Sequence, residues 1–272
     1  MGSKGKGLHS RTKQDRVSGG GGQKDIFKAY HRLRGNINKN ADPRVTHMRQ
    51  ISLRYQAFEN LYKKYYKNIL DLCGVSKASS VLEVGCNIGA MLGALRKDGY
   101  SDLYGIDLSI DDVKIAKRRL PGVKLTVGDA LDPSSYAKEE FDIIMCRAVL
   151  EHIEKDKVFD FLQILYAHLR EGGILIVDVP NMDWFWASHE RYMDFTHNCG
   201  FTVESLDEVL LCFFDKVQFV YEDTLEYAGK KDWWKRKLAK KILWYIYAQA
   251  GALTAEENLF SRCLIAYARK SR

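Results

Sequence analysis

The sequence predicts an α/β fold: a mostly parallel, seven-stranded sheet with helices on both faces. Three observations carry that expectation. From residue 80 onward, short apolar runs alternate with helical patterns. Those runs are continuous rather than alternating, as in strands covered on both faces. A glycine-bearing turn, VGCNIG at 84–89, follows the first run and opens a helix, the position of a ligand loop in such sheets.

The elements follow in order. SVLEVG reads as a strand and GAMLGALRKDG as a helix stopped by glycine. DLYGID is a strand, DDVKIAKRRL a helix and VKLTVGD a strand. FDIIMC is the fourth strand, followed by the long helix EKDKVFDFLQILYAHLREGG with its glycine stop. GILIVDVP is a strand closed by proline. TVESLDEVLLCFF opens on a capping pattern, Thr202 followed by Glu204 and Ser205, and reads as a helix. VQFVYED and SRCLIAYARK complete the seven strands.

Three segments flank or interrupt this array. Residues 1–24 are rich in Gly, Lys and Ser and are expected to form a disordered basic tail. Residues 25–78 are expected to form an N-terminal helical cap. Within them Ile51, Tyr55, Phe58, Tyr62, Tyr65, Ile69 and Cys73 recur every three or four residues as one apolar stripe. Residues 79–272 form the main domain, with a cationic helical insertion at about 225–255. The run KKDWWKRKLAKKILWYIYAQAGAL within the insertion suits packing, a homodimer contact or an anionic membrane surface.

Charge is unevenly spread. Residues 1–78 carry 17 Lys/Arg against 5 Asp/Glu, a net +12, whereas residues 79–272 carry 25 against 30, a net −5. The basic character belongs to the N-terminal segment, so no nucleic-acid partner is expected for the main body. Six scattered cysteines without a CxxC pair argue against a zinc site or disulfide framework. The Asp and His residues lack a clear ligand spacing, so no metal-ligand residues are assigned and assistance by a divalent metal stays open. The opening residues lack an apolar export stretch, and no apolar run approaches the roughly 20 residues of a membrane helix. A cytoplasmic protein is expected, with peripheral membrane contact through 230–250 as one use of the insertion.

Three acids sharpen the ligand end. Glu83 lies in the first strand just before the glycine turn, where a carboxylate repels a pyrophosphate but suits an ammonium. Asp107 ends the second strand and can accept from ribose hydroxyls. Asp129 ends the third and can accept from an exocyclic amine. Ammonium, ribose and adenine without a phosphate chain describe S-adenosylmethionine.

The ordered set VLEVGCNIG, LYGIDLS, VGDALD, FDIIMCRAVLEHI and GGILIVDVPN resembles the class I S-adenosylmethionine-dependent methyltransferases over residues 80–180. The resemblance implies a Rossmann-like sheet whose last strand, SRCLIAYARK, runs antiparallel. It implies that Glu83, Gly85, Cys86, Asn87 and Gly89 line the methionine end, Asp107 and Leu108 the ribose, and Asp129 and Ala130 the adenine, with Arg147 beside the cofactor. Asn87 stands where the family often has a further glycine; asparagine tolerates a left-handed backbone.

The acceptor side is expected beyond the fourth and fifth strands. There Pro180, Asn181, Arg191, Asp194, Thr196, His197, Phe201, Thr202, Ser205 and Leu206 resemble a pattern in bacterial methyltransferases that decorate sugars and cell-surface glycans. Trp184, Phe185, Trp186, Tyr192 and Phe195 are candidates to exclude water. Glu151, Trp184, Trp186, Arg191 and Tyr192 are candidate acceptor contacts. His197 is the first candidate base, with Asp194 orienting it and His152 as the alternative. A sugar or glycan hydroxyl is the expected acceptor. RNA, a quinone-type lipid precursor and non-catalytic cofactor binding are the rivals. Against nucleic acid, no NPPY-like or DPPY-like run follows the fourth strand to hold a flipped base.

Overall fold

The computed structural model describes residues 47–221, 233–251 and 259–271. The expected tail at 1–24, the start of the expected cap and both margins of the insertion lie outside them. The strands are β1 (Val81–Val84), β2 (Leu103–Asp107), β3 (Lys124–Val127), β4 (Phe141–Arg147), β5 (Leu169–Pro180), β6 (Val217–Tyr221) and β7 (Cys263–Arg269). They form one sheet in the order β3-β2-β1-β4-β5-β7-β6. The first five strands run parallel, and β7 is antiparallel to both β5 and β6. This is the seven-stranded arrangement expected, with its topological reversal between β1 and β4.

The helices are α1 (His47–Leu61), α2 (Lys67–Leu72), α3 (Ala90–Lys97), α4 (Ile110–Arg119), α5 (Val158–Ala167), α6 (Ala187–Met193), α7 (Val203–Leu211) and α8 (Trp233–Gln249). Thr202 caps α7 through a reciprocal pair of bonds with Ser205, the capping box expected from TVES. The expected boundary between the fifth helix and strand moves. α5 ends at Ala167 and β5 begins at Leu169. The ladder pairs Phe141 with Leu169, then slips before Ile143 meets Ile174. The glycines of LREGG therefore serve a bulge inside the strand, with Gly172 at φ 74°, rather than a helix stop.

α1 and α2 are joined by a π-helical turn, Tyr62–Tyr66. The extra residue per turn rotates the apolar stripe and buries Tyr66 beside Tyr62 and Tyr65. Those three tyrosines, Ile69 and Leu70 share one core cluster with Val81, Leu103, Ile143 and Ile176. The helical segment at 47–72 thus packs directly on the sheet. A second cluster, including Phe141, Phe161, Leu165, Leu206 and Phe214, fills the opposite face.

At the carboxyl edge one buried network ties three elements together. Arg147, the last residue of β4, pairs with Asp178 of β5 at 3.2 Å. Its Nε donates to the Tyr66 hydroxyl at 2.7 Å, and that hydroxyl donates to Asp178. The guanidinium also lies over the rings of Phe58 and Tyr66. Both charged side chains are about nine-tenths covered. Removing one partner strands the other in a poorly solvated interior. Asp178→Ala should therefore cost about 3–5 kcal/mol of stability, read from the urea unfolding midpoint.

Candidate functional site

The turn after β1 is built by three residues with positive φ: Gly85 at 72°, Asn87 at 47° and Gly89 at 77°. Asn87 occupies the left-handed region that its residue type tolerates. A Cβ on Gly85 would stand 2.3 Å from the Val149 side chain, so glycine is required there twice over. Asp107 pins this turn to β2. One carboxylate oxygen accepts from the Asn87 amide at 2.7 Å and the other from the Ser109 amide at 2.8 Å. Each oxygen keeps a second lone pair with which to accept from a hydroxyl. Burial raises the Asp107 carboxyl, against the pull of those two amides.

Glu83 is the unusual group. It is buried inside β1, and its Oε2 has no hydrogen-bond partner among the described residues. Burial pushes its carboxyl up to about 8, although the Arg147 charge and the Leu92 amide draw it down. A buried carboxyl oxygen without a donor is costly unless something cationic meets it. Cys86 turns its side chain into the core, where its sulfur would sit 2.8 Å from a Cβ on Gly105. Its contribution at the turn is backbone. Leu108 is partly exposed, and Ala130 packs on the core while its carbonyl accepts from Tyr136 at 2.9 Å. Asp129 accepts from the Leu131 amide at 3.0 Å, which fixes its carboxylate at the end of β3.

Beyond β4, a 3₁₀ turn (Leu150–His152) is clamped to the loop at 196–199. The Glu151 carbonyl accepts from the Asn198 and Cys199 amides at 2.7 and 3.0 Å. Asn198 Nδ2 donates to the His152 carbonyl at 2.8 Å. Asp194, buried, accepts from the Thr196 hydroxyl at 2.7 Å, and Thr196 Oγ1 lies 2.9 Å from His152 Nδ1. His197 Nδ1 lies 2.9 Å from the Glu190 carbonyl. A carbonyl only accepts, so Nδ1 carries the proton and Nε2 holds the lone pair in neutral His197. The two imidazoles stand 4.8 Å apart, edge to face. Glu151 Oε2 is buried without a hydrogen-bond partner among the described residues, and burial pushes that carboxyl up to about 8.

The fold thus brings together Glu151, His152, Asp194 and His197, residues up to 46 positions apart whose spacing announces no cluster. Three expectations part from the structure. The Arg191 guanidinium donates to the carbonyls of His197 and Asn198, so it shapes the loop. Tyr192 and Phe195 are 78% and 89% exposed, and Trp186 is also exposed, so they exclude no water here. The loop's hydrogen bonds, not an apolar floor, hold its shape. Trp184 is partly buried with an unpartnered indole nitrogen, and Arg147 is committed to Asp178 and Tyr66. The Tyr66 and Asp178 partners were hidden because they come from distant elements.

Residues 24–219 match a family model described as a methyltransferase domain. The chain belongs to the class I S-adenosylmethionine-dependent methyltransferase family. S-adenosylmethionine is accordingly its cofactor. The chain is 30% identical to a dTDP-3-amino-3,6-dideoxy-α-D-glucopyranose N,N-dimethyltransferase of Streptomyces fradiae, over 43% of this chain and 47% of that protein. It is 27% identical to a ubiquinone biosynthesis O-methyltransferase of Bradyrhizobium diazoefficiens, over 45% and 47%. The chain spans about half the length of these curated relatives. Among solved structures it resembles the magnesium protoporphyrin IX methyltransferase of Synechocystis with bound S-adenosylmethionine, at TM-score 0.57 and 15% identity, over 94% of this chain and all of that one. At that identity the likeness is one of fold.

The family's cofactor fits this chain's chemistry. The orphaned Glu83 oxygen suits an ammonium, and Asp107 retains acceptor capacity at the turn. The same burial sets a pH signature. Glu83 and Glu151 sit at about 8 in the folded chain against an ordinary 4.5. Their contribution to stability is complete below about 4.5 and is lost as pH rises through about 8. Ligand-free protein should lose stability across that window. The Glu83→Gln, Glu151→Gln double variant should show a flatter profile by urea denaturation.

Proposed function

We propose that this protein O-methylates a hydroxyl of a sugar, glycan or similar small acceptor. Glu83, Gly85, Asn87 and Gly89 would hold the methionine end of the cofactor, Asp107 and Leu108 the ribose, and Asp129 and Ala130 the adenine. When bound, S-adenosylmethionine supplies an electrophilic methyl group. The acceptor oxygen forms the new C–O bond as the C–S bond breaks, so alignment supplies much of the rate. A hydroxyl near neutrality needs its proton removed, and His197 Nε2 is the lone pair suited to take it.

The observation that carries this reading is the imidazole pair of His152 and His197, oriented through Thr196 and the Glu190 carbonyl, at the strand edge where Glu83 awaits a cation. An amine acceptor would have less need of such a base. The amino-sugar N-methyltransferase among the relatives supports a sugar-like acceptor while favouring nitrogen over oxygen. A tritium-transfer screen against sugar nucleotides, glycans, quinone precursors and RNA tests the acceptor class. His197→Ala should keep cofactor binding by calorimetry and lose about 10²–10⁴-fold in turnover on the acceptor found. Unchanged turnover removes the base assignment.

A second reading places the acceptor in a membrane, as a lipid-linked glycan or quinone precursor. Among the described residues no helix is long and apolar enough to cross a bilayer. α8, however, exposes Trp234, Leu238, Ile242 and Tyr245 along one stripe, beside Lys237 and Lys241. That combination suits an anionic interface. The protein should sediment with anionic liposomes and less with neutral ones, and Trp234→Ser with Leu238→Ser should abolish the difference. No sedimentation, with a dimer in the ultracentrifuge, would assign the stripe to a subunit contact.

A further inference from the structure

We propose that Glu151, His152 and His197 hold a divalent transition-metal ion at the acceptor end of the site. Among the described residues these three offer one ligand-capable atom each, all within 4.8 Å of one another. Two features select them over a chance grouping. Among the described residues Glu151 Oε2 is buried without a hydrogen-bond partner, an arrangement that a bound cation would relieve. Both histidines are also set for ligation. His197 Nδ1 is held by the Glu190 carbonyl and His152 Nδ1 by the Thr196 carbonyl and hydroxyl. In each neutral ring that leaves the Nε2 lone pair as the donor.

The surrounding shell follows the pattern of protein metal sites, in which a ligand imidazole is fixed by a carbonyl or carboxylate behind it. The chain from His152 through Thr196 Oγ1 to the buried Asp194 carboxylate is such a support. Two imidazoles and one carboxylate suit zinc, manganese or iron better than magnesium or calcium, which favour oxygen ligands. Three protein ligands leave coordination positions open. Zinc–nitrogen bonds of about 2.0–2.1 Å bring tetrahedral ligands to about 3.4 Å apart, so the side chains would draw in by roughly 1 Å or more.

An ion here would take the acceptor oxygen in an open position and ease loss of its proton to solvent. His197 Nε2 would then be engaged by the ion and could not also take the acceptor proton, so the ion would replace the direct base role given to His197 above. The ion's role rests on the acceptor reading above; its binding does not. Turnover by His197→Ala therefore cannot separate the two, and direct binding can.

The test is calorimetric titration of the dialysed full chain with Zn²⁺ and, separately, Mn²⁺, with S-adenosylmethionine binding measured in parallel. One ion should bind per chain. Glu151→Gln and His152→Ala should each weaken it at least about tenfold while leaving S-adenosylmethionine affinity within about twofold. Failure of either metal to bind one per chain overturns the proposal. So does equally tight binding by the variants, which would put the ion elsewhere. Glu151→Gln keeps the side chain's shape, so the comparison survives a His152→Ala chain that does not fold. Metal binding without S-adenosylmethionine binding would sink the functional reading and leave the metal site standing.

Discussion

The carboxyl edge of the sheet is organised around one buried cation. Arg147 ends β4, pairs with Asp178 across the β4–β5 ladder and takes the Tyr66 hydroxyl from the helical segment. It fixes where two loops leave the sheet: the 148–153 turn follows it directly, and the 181–199 segment follows the strand of Asp178. The next residue, Ala148, turns back at φ 49° and donates its amide to the Asp178 carbonyl. A charge pair this well covered contributes little net stability compared with apolar residues of the same size. Its value lies in positioning, since neither partner tolerates being left alone.

The same cation sets the electrostatics. Its charge lowers the Glu83 and Glu151 carboxyls, yet burial outweighs it and both remain near 8. Asp178 already claims the guanidinium by direct contact. Three acids therefore surround one base, and Asp107, itself buried enough to be raised, adds to the excess. Glu83 and Glu151 are therefore mostly protonated near neutrality in the ligand-free chain, and an arriving cation would favour the release of those protons. That is the electrostatic setting for a sulfonium and ammonium ligand.

Much of this was legible in the sequence, and the reason is local. Continuous apolar runs, glycine stops and the Thr202 cap are decided by neighbours within a few residues. All seven expected runs form strands, six of them near their expected bounds and the fifth with an earlier start, and the capping box appears where the pattern puts it. Glu83 and Asp107 were legible because a strand end fixes a residue's place in such a sheet. The bulge at 169–173 was not, since LREGG serves a helix stop as well as it serves a bulge and only the ladder with β4 decides. Arg191 illustrates a different limit. Its charge suggested a ligand contact, but the partners that satisfy it are backbone carbonyls, which sequence composition never displays.

The clamp between residues 150–153 and 196–199 is the least legible feature and the one that gathers the candidate acceptor-side residues. Its hydrogen bonds span more than 40 residues and mostly use main-chain groups, so no spacing rule could find them. Their effect is to hold two histidines in one tautomer each beside a carboxyl oxygen that none of the described residues satisfies. A loop designed only for stability would have replaced Glu151 with an apolar residue, since an unpaired buried acid costs folding free energy. Retaining it next to two oriented imidazoles makes sense when the missing partner arrives from outside the chain. Glu83 obeys the same logic at the other end of the edge. The two orphaned carboxyls are thus the two places, among the described residues of this edge, where a cation would relieve a buried acid.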